Sequence, residues 1–338
     1  MFCLKNPRLS LGAILVLYAS LAFSNLLSAA DRIRIAKGGY SPSTPPYFTY
    51  AAPFLQKYDI LVEDVLMSSG SLAGQALSSG DVKVLLTTGA IAMQADMAGG
   101  DLVIIAGAVH KLPYQIVARP EIRSATDLRG KRVGISRFGS SSEWIIRLGL
   151  AKFGLDADRD FAMVQIGGPS DRFTAMQSNA IQATLLAPPL TTMAVQKSGM
   201  KELLDVSKLD VLYPLESVTT TRSFLQSNRP LLKRFLMGLA TALYNYQDDP
   251  QSGIAFQAKQ FKFARDQAEI AYRASARAMH ADLRLPDSAV LDSAMKEIAG
   301  RVEKARNMSP ADLKVIDGSL RQELVNEGFF ERFNKKAR

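Results

Sequence analysis

One unit recurs from Asp31 onward: a short β-like run closes on a loop of small residues, and a helical pattern follows. Arg32 to Ala36 runs into Gly38-Gly39-Tyr40 ahead of the helical stretch Tyr47 to Lys57. Leu61 to Met67 leads to Ser68-Ser69-Gly70-Ser71, and Val82 to Leu86 leads to Thr87-Thr88-Gly89 and the helix-like Ala90 to Met97. Leu102 to Val109 adds a further apolar run. Strands that alternate with helices need crossover connections, so the unit predicts a largely parallel sheet covered on both faces.

The alternation is interrupted twice. Lys111 to Pro120 is extended and contains Pro113 and Pro120, which a helix tolerates poorly. A second α/β series follows, with strands at Arg132 to Ser136, Phe161 to Ile166 and Ala183 to Leu186, and it ends near another extended segment, Val211 to Thr221. The two extended segments are read as crossing strands that form a hinge between two α/β lobes. Beyond them the chain turns helical. Asn228 or Ser227 can cap a helix with Pro230 near its first position, and Leu232, Phe235, Leu236, Leu239, Leu243 and Tyr246 recur at spacings of three and four, which predicts a core face. Helical patterns at Ser252 to Ala278, at Asp287 to Lys304 and around Leu320 and Leu324 predict that the last third returns to cover the first lobe.

The N-terminus bounds the compartment. Lys5 and Arg8 precede an uncharged apolar stretch, Leu11 to Leu27, and the small residues Ser28, Ala29 and Ala30 stand ahead of Asp31. This is the pattern of a cleaved secretory signal peptide over residues 1–30; a retained anchor is the alternative, roughly 17 apolar residues being the short limit for spanning a bilayer. The only cysteine, Cys3, falls in that segment, so the remainder has no thiol for a disulfide, a nucleophile or a metal. No cysteine stands at the cleavage point, which favours a soluble periplasmic protein over a lipid-anchored one. The remaining residues number about 308, more than one hydrophobic core usually serves, which again implies two lobes. Their net charge is about +7, mildly favourable to anions, but the basic residues are scattered and form no nucleic-acid motif. Lys335-Lys336-Ala337-Arg338 reads as a solvated tail.

Missing motifs narrow the chemistry. The chain has no G-x-G-x-x-G, no complete P-loop, no G-x-S-x-G elbow and no H-E-x-x-H, and only two histidines, His110 and His280. Open α/β sheets bind ligands beyond the carboxyl ends of their strands, and there this chain places compact donors beside helix starts. These are Ser41, Ser43 and Thr44, then Ser69 and Gly70, Thr88 and Gly89, and Ser140, Ser141 and Ser142. Each is also readable as an ordinary cap or turn residue, and Ser140 with Glu143 fits a capping box. Trp144 is read either at the cleft lip or in the core. Tyr40, Tyr47, Tyr114, Phe138 and Tyr213 are candidates for cleft walls or for packing. His110, at the end of an apolar strand, can donate to a ligand or to backbone, and His280 reads as a helix-surface residue.

Between Ala125 and Ser136 the chain runs Ala-Thr-Asp-Leu-Arg-Gly-Lys-Arg-Val-Gly-Ile-Ser, followed by the serines of Gly139 to Ser142, Phe153-Gly154-Leu155-Asp156, Val164 to Gly168, and Ala175 to Pro189. This resembles the bacterial ABC-transporter substrate-binding proteins of the sulfonate, nitrate and thiamine-precursor (NMT1/THI5-like) superfamily. The resemblance spans about residues 32–305. It implies a type II periplasmic binding protein fold, two α/β lobes joined by two crossing hinge strands, with lobe 1 at 31–116 plus 216–338 and lobe 2 at 117–215. It also implies a monomer that captures a small polar organic molecule between the lobes without a cofactor, metal or catalytic step, and presents it to the membrane permease of an ABC importer. Carried onto this chain, the contacts fall at Tyr40 to Thr44, Ser69-Gly70, Thr88-Gly89, Ser140 to Ser142 and Pro188-Pro189. Where related sequences often have Gly-x-Val/Ile-Asp-Ala, this one has Asn179-Ala180-Ile181-Gln182-Ala183, so Gln182 stands for an acid expected beside the cleft. The family's pyrimidine-making enzymes use a cysteine-rich motif that this chain lacks. Two alternatives remain: a binding component that docks on a sensor, and a secreted enzyme built on carboxylates such as Glu143, Asp171 or Glu216.

Overall fold

The computed structural model describes residues 30–38 and 47–334. Residues 1–29, where a signal peptide is expected, the loop residues Tyr40, Ser41, Ser43 and Thr44, the side chain of Tyr47 and the basic tail from Lys335 lie outside the described residues.

Two five-stranded sheets carry the architecture. In the first the order is β2-β1-β3-β10-β4, formed by β1 (Asp31–Gly38), β2 (Ile60–Met67), β3 (Val84–Thr87), β4 (Leu102–Lys111) and β10 (Leu212–Thr221). In the second it is β7-β6-β8-β5-β9, formed by β5 (Gln115–Ala118), β6 (Arg132–Ile135), β7 (Ala162–Gln165), β8 (Ala183–Leu186) and β9 (Lys201–Asp205). β1 runs parallel to β2 and β3, and β6 runs parallel to β7 and β8. One strand in each sheet runs against its neighbours. These are β10 and β5, the first strand laid down after each crossing of the chain. A strand entering from the cleft side must run opposite to strands that end there, so the carboxyl ends of both parallel sets face one cleft.

The crossings are short. Residues 112–114 lead from β4 to β5 and 206–211 lead from β9 to β10, and they touch where the Val206 amide donates to the Tyr114 carbonyl at 3.0 Å. Lobe limits at 116/117 and 215/216 therefore fall inside β5 and β10, and the sheets change over a few residues earlier at each crossing.

Helices cover both sheets: α1 (Tyr47–Gln56), α2 (Gly70–Ser78) and α3 (Ala90–Met97) in the first lobe, then α4 (Ser141–Ala151), α5 (Pro169–Gln177) and α6 (Leu190–Ser198) in the second. The C-terminal third adds α7 (Arg222–Ser227), α8 (Arg229–Asp248), α9 (Pro250–Phe261), α10 (Arg265–Ala278), α11 (Ser288–Ala299), α12 (Ser319–Asn326) and α13 (Glu331–Asn334). It does return to the first sheet: Ile316 bridges to Ile104 of β4, and α11 packs beside β10. The expected stripe on α8 is buried from Leu232 to Tyr246, and α8 lies so close to α1 that a Cβ on Gly238 would sit 2.8 Å from Leu55. Each such large apolar side chain contributes about 1.5–3 kcal/mol on burial, which anchors the returning third.

The helical pattern at Ser252 to Ala278 is two helices. Lys262 takes φ 54° and ends α9, and α10 starts three residues later. His280 is not on a helix surface: it follows α10 and its ring lies 4.9 Å from that of His110.

Candidate functional site

A small cavity of about 80 Å³ opens where the two sets of strand ends face each other. Lobe 1 lines it with Gly38, Ser68 to Ser71, Thr87, Thr88 and Ile91. Lobe 2 lines it with Ser136, Ser140 to Ser142, Gly168, Pro169, Arg172 and Leu185, and the crossing region adds Tyr114, Leu215 and Glu216.

Of the candidate residues, Ser69, Gly70, Thr88, Ser140, Ser141 and Ser142 come together on this cavity. Several also serve as caps, so the two readings coexist. Ser69 Oγ accepts the Leu72 amide at 3.3 Å and starts α2; Ser140 Oγ accepts the Glu143 amide at 3.4 Å and starts α4. Ser142 is bonded to both the amide and the hydroxyl of Ser136 at 2.9 Å. Ser141, the first residue of α4, makes no side-chain hydrogen bond among the described residues. The first residues of α2, α4 and α5 all line the cavity, and the free amides and dipoles of helix starts favour a negative group there. On the lobe 1 wall the backbones meet closely: a Cβ on Gly38 would sit 2.2 Å from Gly70 Cα, and one on Gly70 would sit 2.4 Å from Thr87 Oγ1. Only glycine fits at either position.

Five expected contacts lie elsewhere. Gly89 is wedged between Ile104 and Pro214, its amide bonded to the Pro214 carbonyl at 2.8 Å. His110 is buried against His280, away from the cavity, and burial holds its pKa down at about 4. Trp144 lies flat on Tyr213 with ring centroids 4.8 Å apart, a packing position. Pro188 and Pro189 share a cis peptide bond, and Pro189 faces Asp266 and Gln267 of α10 in a separate crevice. Gln182 is not beside the cleft either. It stands just before β8 at the far end of the sheet, where its side-chain oxygen accepts the Arg132 amide at 3.0 Å.

The residue that sequence reading missed is Arg172. Its side chain is buried, with only 3 % exposed, and it ion-pairs with no carboxylate. Its terminal nitrogens donate to the Gly167 carbonyl at 2.8 Å and the Leu185 carbonyl at 3.1 Å, and its buried Nε has no partner. Burial lowers its pKa to about 10, so it stays cationic at neutral pH. The available signal is local: an arginine in the opening turns of a helix stands where the dipole disfavours positive charge.

The three carboxylates considered for catalysis are placed differently. Glu143 accepts the Gly139 amide at 2.6 Å and pairs with Arg147 at 3.0 Å, and Asp171 accepts the Gly168 amide at 3.0 Å, so both are committed to helix starts. Glu216 lines the cavity, and burial raises its pKa to about 8 against an opposing pull from Lys37.

Behind the cavity a polar chain joins the lobes. Thr88 Oγ1 donates to the Tyr213 hydroxyl at 2.9 Å, Tyr213 donates to Glu297 of α11, and Glu297 pairs with Arg301 at 2.6 Å. Arg301 reaches Glu143 of lobe 2 at 3.8 Å. At the cleft mouth Ser71 Oγ donates to the Gly139 carbonyl at 3.4 Å.

The family model described as NMT1/THI5 like matches residues 43–252. The chain belongs to the NMT1/THI5-like family. Among solved structures it is similar to the alkanesulfonate-binding protein SsuA from Xanthomonas axonopodis pv. citri bound to MOPS, at 17% identity and a TM-score of 0.68, over 85% of this chain and 98% of that one. The periplasmic aliphatic sulphonate binding protein SsuA from Escherichia coli aligns at 20% identity and a TM-score of 0.62, over 86% and 91%. The periplasmic nitrate-binding protein NrtA from Synechocystis PCC 6803 aligns at 14% identity and a TM-score of 0.66, over 88% of each chain. No curated protein sequence matches. These likenesses establish the periplasmic binding protein fold for this NMT1/THI5-like chain. No helix among the described residues is long and apolar enough to cross a membrane, and none of their His, Cys, Asp and Glu side chains gather in threes to hold a metal ion.

Proposed function

We propose that the protein is a periplasmic solute-binding component that captures a small organic anion between its lobes, without chemical conversion, and delivers it to the membrane permease of an ABC importer. The observation that carries this reading is Arg172, a buried cation with no carboxylate partner, on a cavity ringed by three helix starts. A buried charge is costly unless something compensates it, and an anionic ligand is a partner that arrives only when it is needed. Family membership and the sulfonate- and nitrate-binding structural neighbours point the same way.

Binding follows from geometry. An anion enters against α4, α5 and Arg172, the lobes swing together about the residue 112–114 and 206–211 crossings, and the contacts from lobe 1 complete the enclosure. The closed form is favoured only to the extent that the ligand binds it more tightly than the open one.

Thermal unfolding of ligand-stripped protein against sulfonates, nitrate, carboxylates and neutral pyrimidines tests the reading. A saturable rise in melting temperature with anions, and recovery of the compound unchanged, is expected, since a ligand of the folded state stabilises by mass action. Preference for the neutral compounds would overturn the anionic assignment, and turnover would overturn the binding role. Deleting the gene should abolish uptake of the same compound; a sensor component would instead lose only a response to it.

A further inference from the structure

The cavity holds a second ionisable group that the anion does not use. Glu216 lies on β10 where the ladder with β4 is irregular on both sides. Leu212 faces Lys111, Glu216 faces Val109 and Ser217 faces Gly107, so four residues of β10 span two of β4, and the next single step spans two more. Pro214 falls inside the first irregular stretch, and a proline cannot donate to the ladder. Such bulges re-aim a side chain, and they occur beside functional sites. Here the result is a carboxyl on the cavity wall that has no hydrogen bond or ion pair among the described residues.

Arg172 lies on the same cavity, hydrogen-bonded to two carbonyls but with no carboxylate partner and a free Nε, and the two do not form an ion pair with each other. Tyr114 lies between them electrically: its phenol is pushed up by burial and by Glu216, and drawn down by Arg172. Lys37, the cation that acts on Glu216 most, holds Asp64 at 2.9 Å. A cavity that keeps a buried cation and a half-buried carboxyl apart, neither of them in an ion pair among the described residues, is complementary to a ligand that carries both signs.

We propose that Glu216 is a second recognition pole, and that the solute is a small amphoteric molecule whose acidic group is held by Arg172 and the helix starts while its protonated nitrogen is held by Glu216. This rests on the anion-binding reading above and adds the requirement for a cationic group. Ligand binding then supplies the counter-charge to both poles at once, so a simple anion satisfies only half of the site. It leaves Glu216 to be neutralised by a proton taken from solvent.

The test is isothermal titration of ligand-stripped protein with matched pairs that differ in NH3+ against CH3. These are 2-aminoethanesulfonate with propane-1-sulfonate, 3-aminopropanoate with butanoate, and the homologues one methylene longer. In at least one pair the amino member is expected to bind about tenfold or more tightly than its alkyl twin, the range of a charge-assisted contact. Glu216→Gln should bring the ratio of the two affinities down to about one, read within the variant itself. Alkyl twins that bind as well as the amino members would overturn the amphoteric assignment while leaving the anion reading intact. A margin that survives Glu216→Gln would remove Glu216 from recognition. Failure of folded protein to bind any member of either series would overturn the anion reading itself, and this inference with it.

Discussion

Lobe 1 meets the cavity with Gly38, Ser69, Gly70, Thr87 and Thr88, whereas lobe 2 meets it with Ser136, Ser140, Ser141, Ser142 and Arg172. Both walls use the same local device, a strand that ends in small residues and turns into a helix. They differ in what lies beneath. Behind the lobe 1 wall two glycine backbones approach within a Cβ's reach, which sets shape; behind the lobe 2 wall a buried guanidinium sets charge. The comparison teaches that a repeated local device need not repeat its chemistry: the glycine wall measures the solute while the arginine wall reads its negative sign.

The largest expected effect tests the charged side. Arg172→Gln should lower affinity for the anionic ligand by about a hundredfold or more, as the loss of one partner of a buried charge pair costs 2–5 kcal/mol. The ligand-free variant should melt close to wild type, because removing an uncompensated buried charge offsets the loss of the hydrogen bonds to the Gly167 and Leu185 carbonyls. Equal affinity by titration calorimetry would end the division of labour between the walls.

Gly70→Ala probes the other side. Its Cβ would collide with Thr87 Oγ1, so affinity should fall by about tenfold, at a cost of order 1–3 kcal/mol for overpacking, while the order of preference among anions stays unchanged. A changed order of preference in the same titrations would mean that the glycine wall also reads charge.

A smaller effect is expected from the chain that joins the lobes. Arg301→Ala removes its pairing with Glu297 and its reach to Glu143. The contact across the lobes is the long one to Glu143, made by a partly exposed guanidinium, so ligand should leave roughly two- to fivefold faster in stopped-flow measurements, with association little altered. An unchanged dissociation rate would confine the coupling between lobes to the cavity itself.

The gentlest test is pH. Glu216 has its folded-state pKa raised from 4.5 to about 8, so between those values the unfolded chain gives up this proton while the folded one keeps it. The ligand-free protein should therefore lose stability as pH rises through that window. Glu216→Gln should flatten this decline, read as melting temperature against pH in both proteins, with Lys37, Tyr114 and Arg172 as the neighbouring charged and titratable groups. Parallel curves would mean that Glu216 titrates normally.

The fold was legible because strand and helix periods are local, and because small hydroxyl residues after strands mark the same geometric place in every α/β unit. Ser69, Gly70, Thr88 and Ser140 to Ser142 were found that way, and all reach the cavity. Arg172 was missed because a search for compact donors passes over a long side chain whose terminal nitrogens are spent on two carbonyls. Trp144 and His110 went astray for the opposite reason: a ring at a strand end or helix start is informative only once its stacking partner is known, and those partners, Tyr213 and His280, lie 69 and 170 residues away in sequence. The break at Lys262 has no glycine or proline to announce it.

β10 lies between β3 and β4, yet it is made from residues that follow the whole of lobe 2. During synthesis, lobe 2 can complete its sheet as soon as β9 has emerged, while lobe 1 waits with β3 and β4 unpaired at a gap in its middle. The earlier-made lobe is thus the later-finished one. A chain interrupted after residue 205 would carry one whole sheet and two raw strand edges, the kind of surface that pairs with whatever is nearby. Any factor that holds this protein before it folds has its work concentrated on the N-terminal strands.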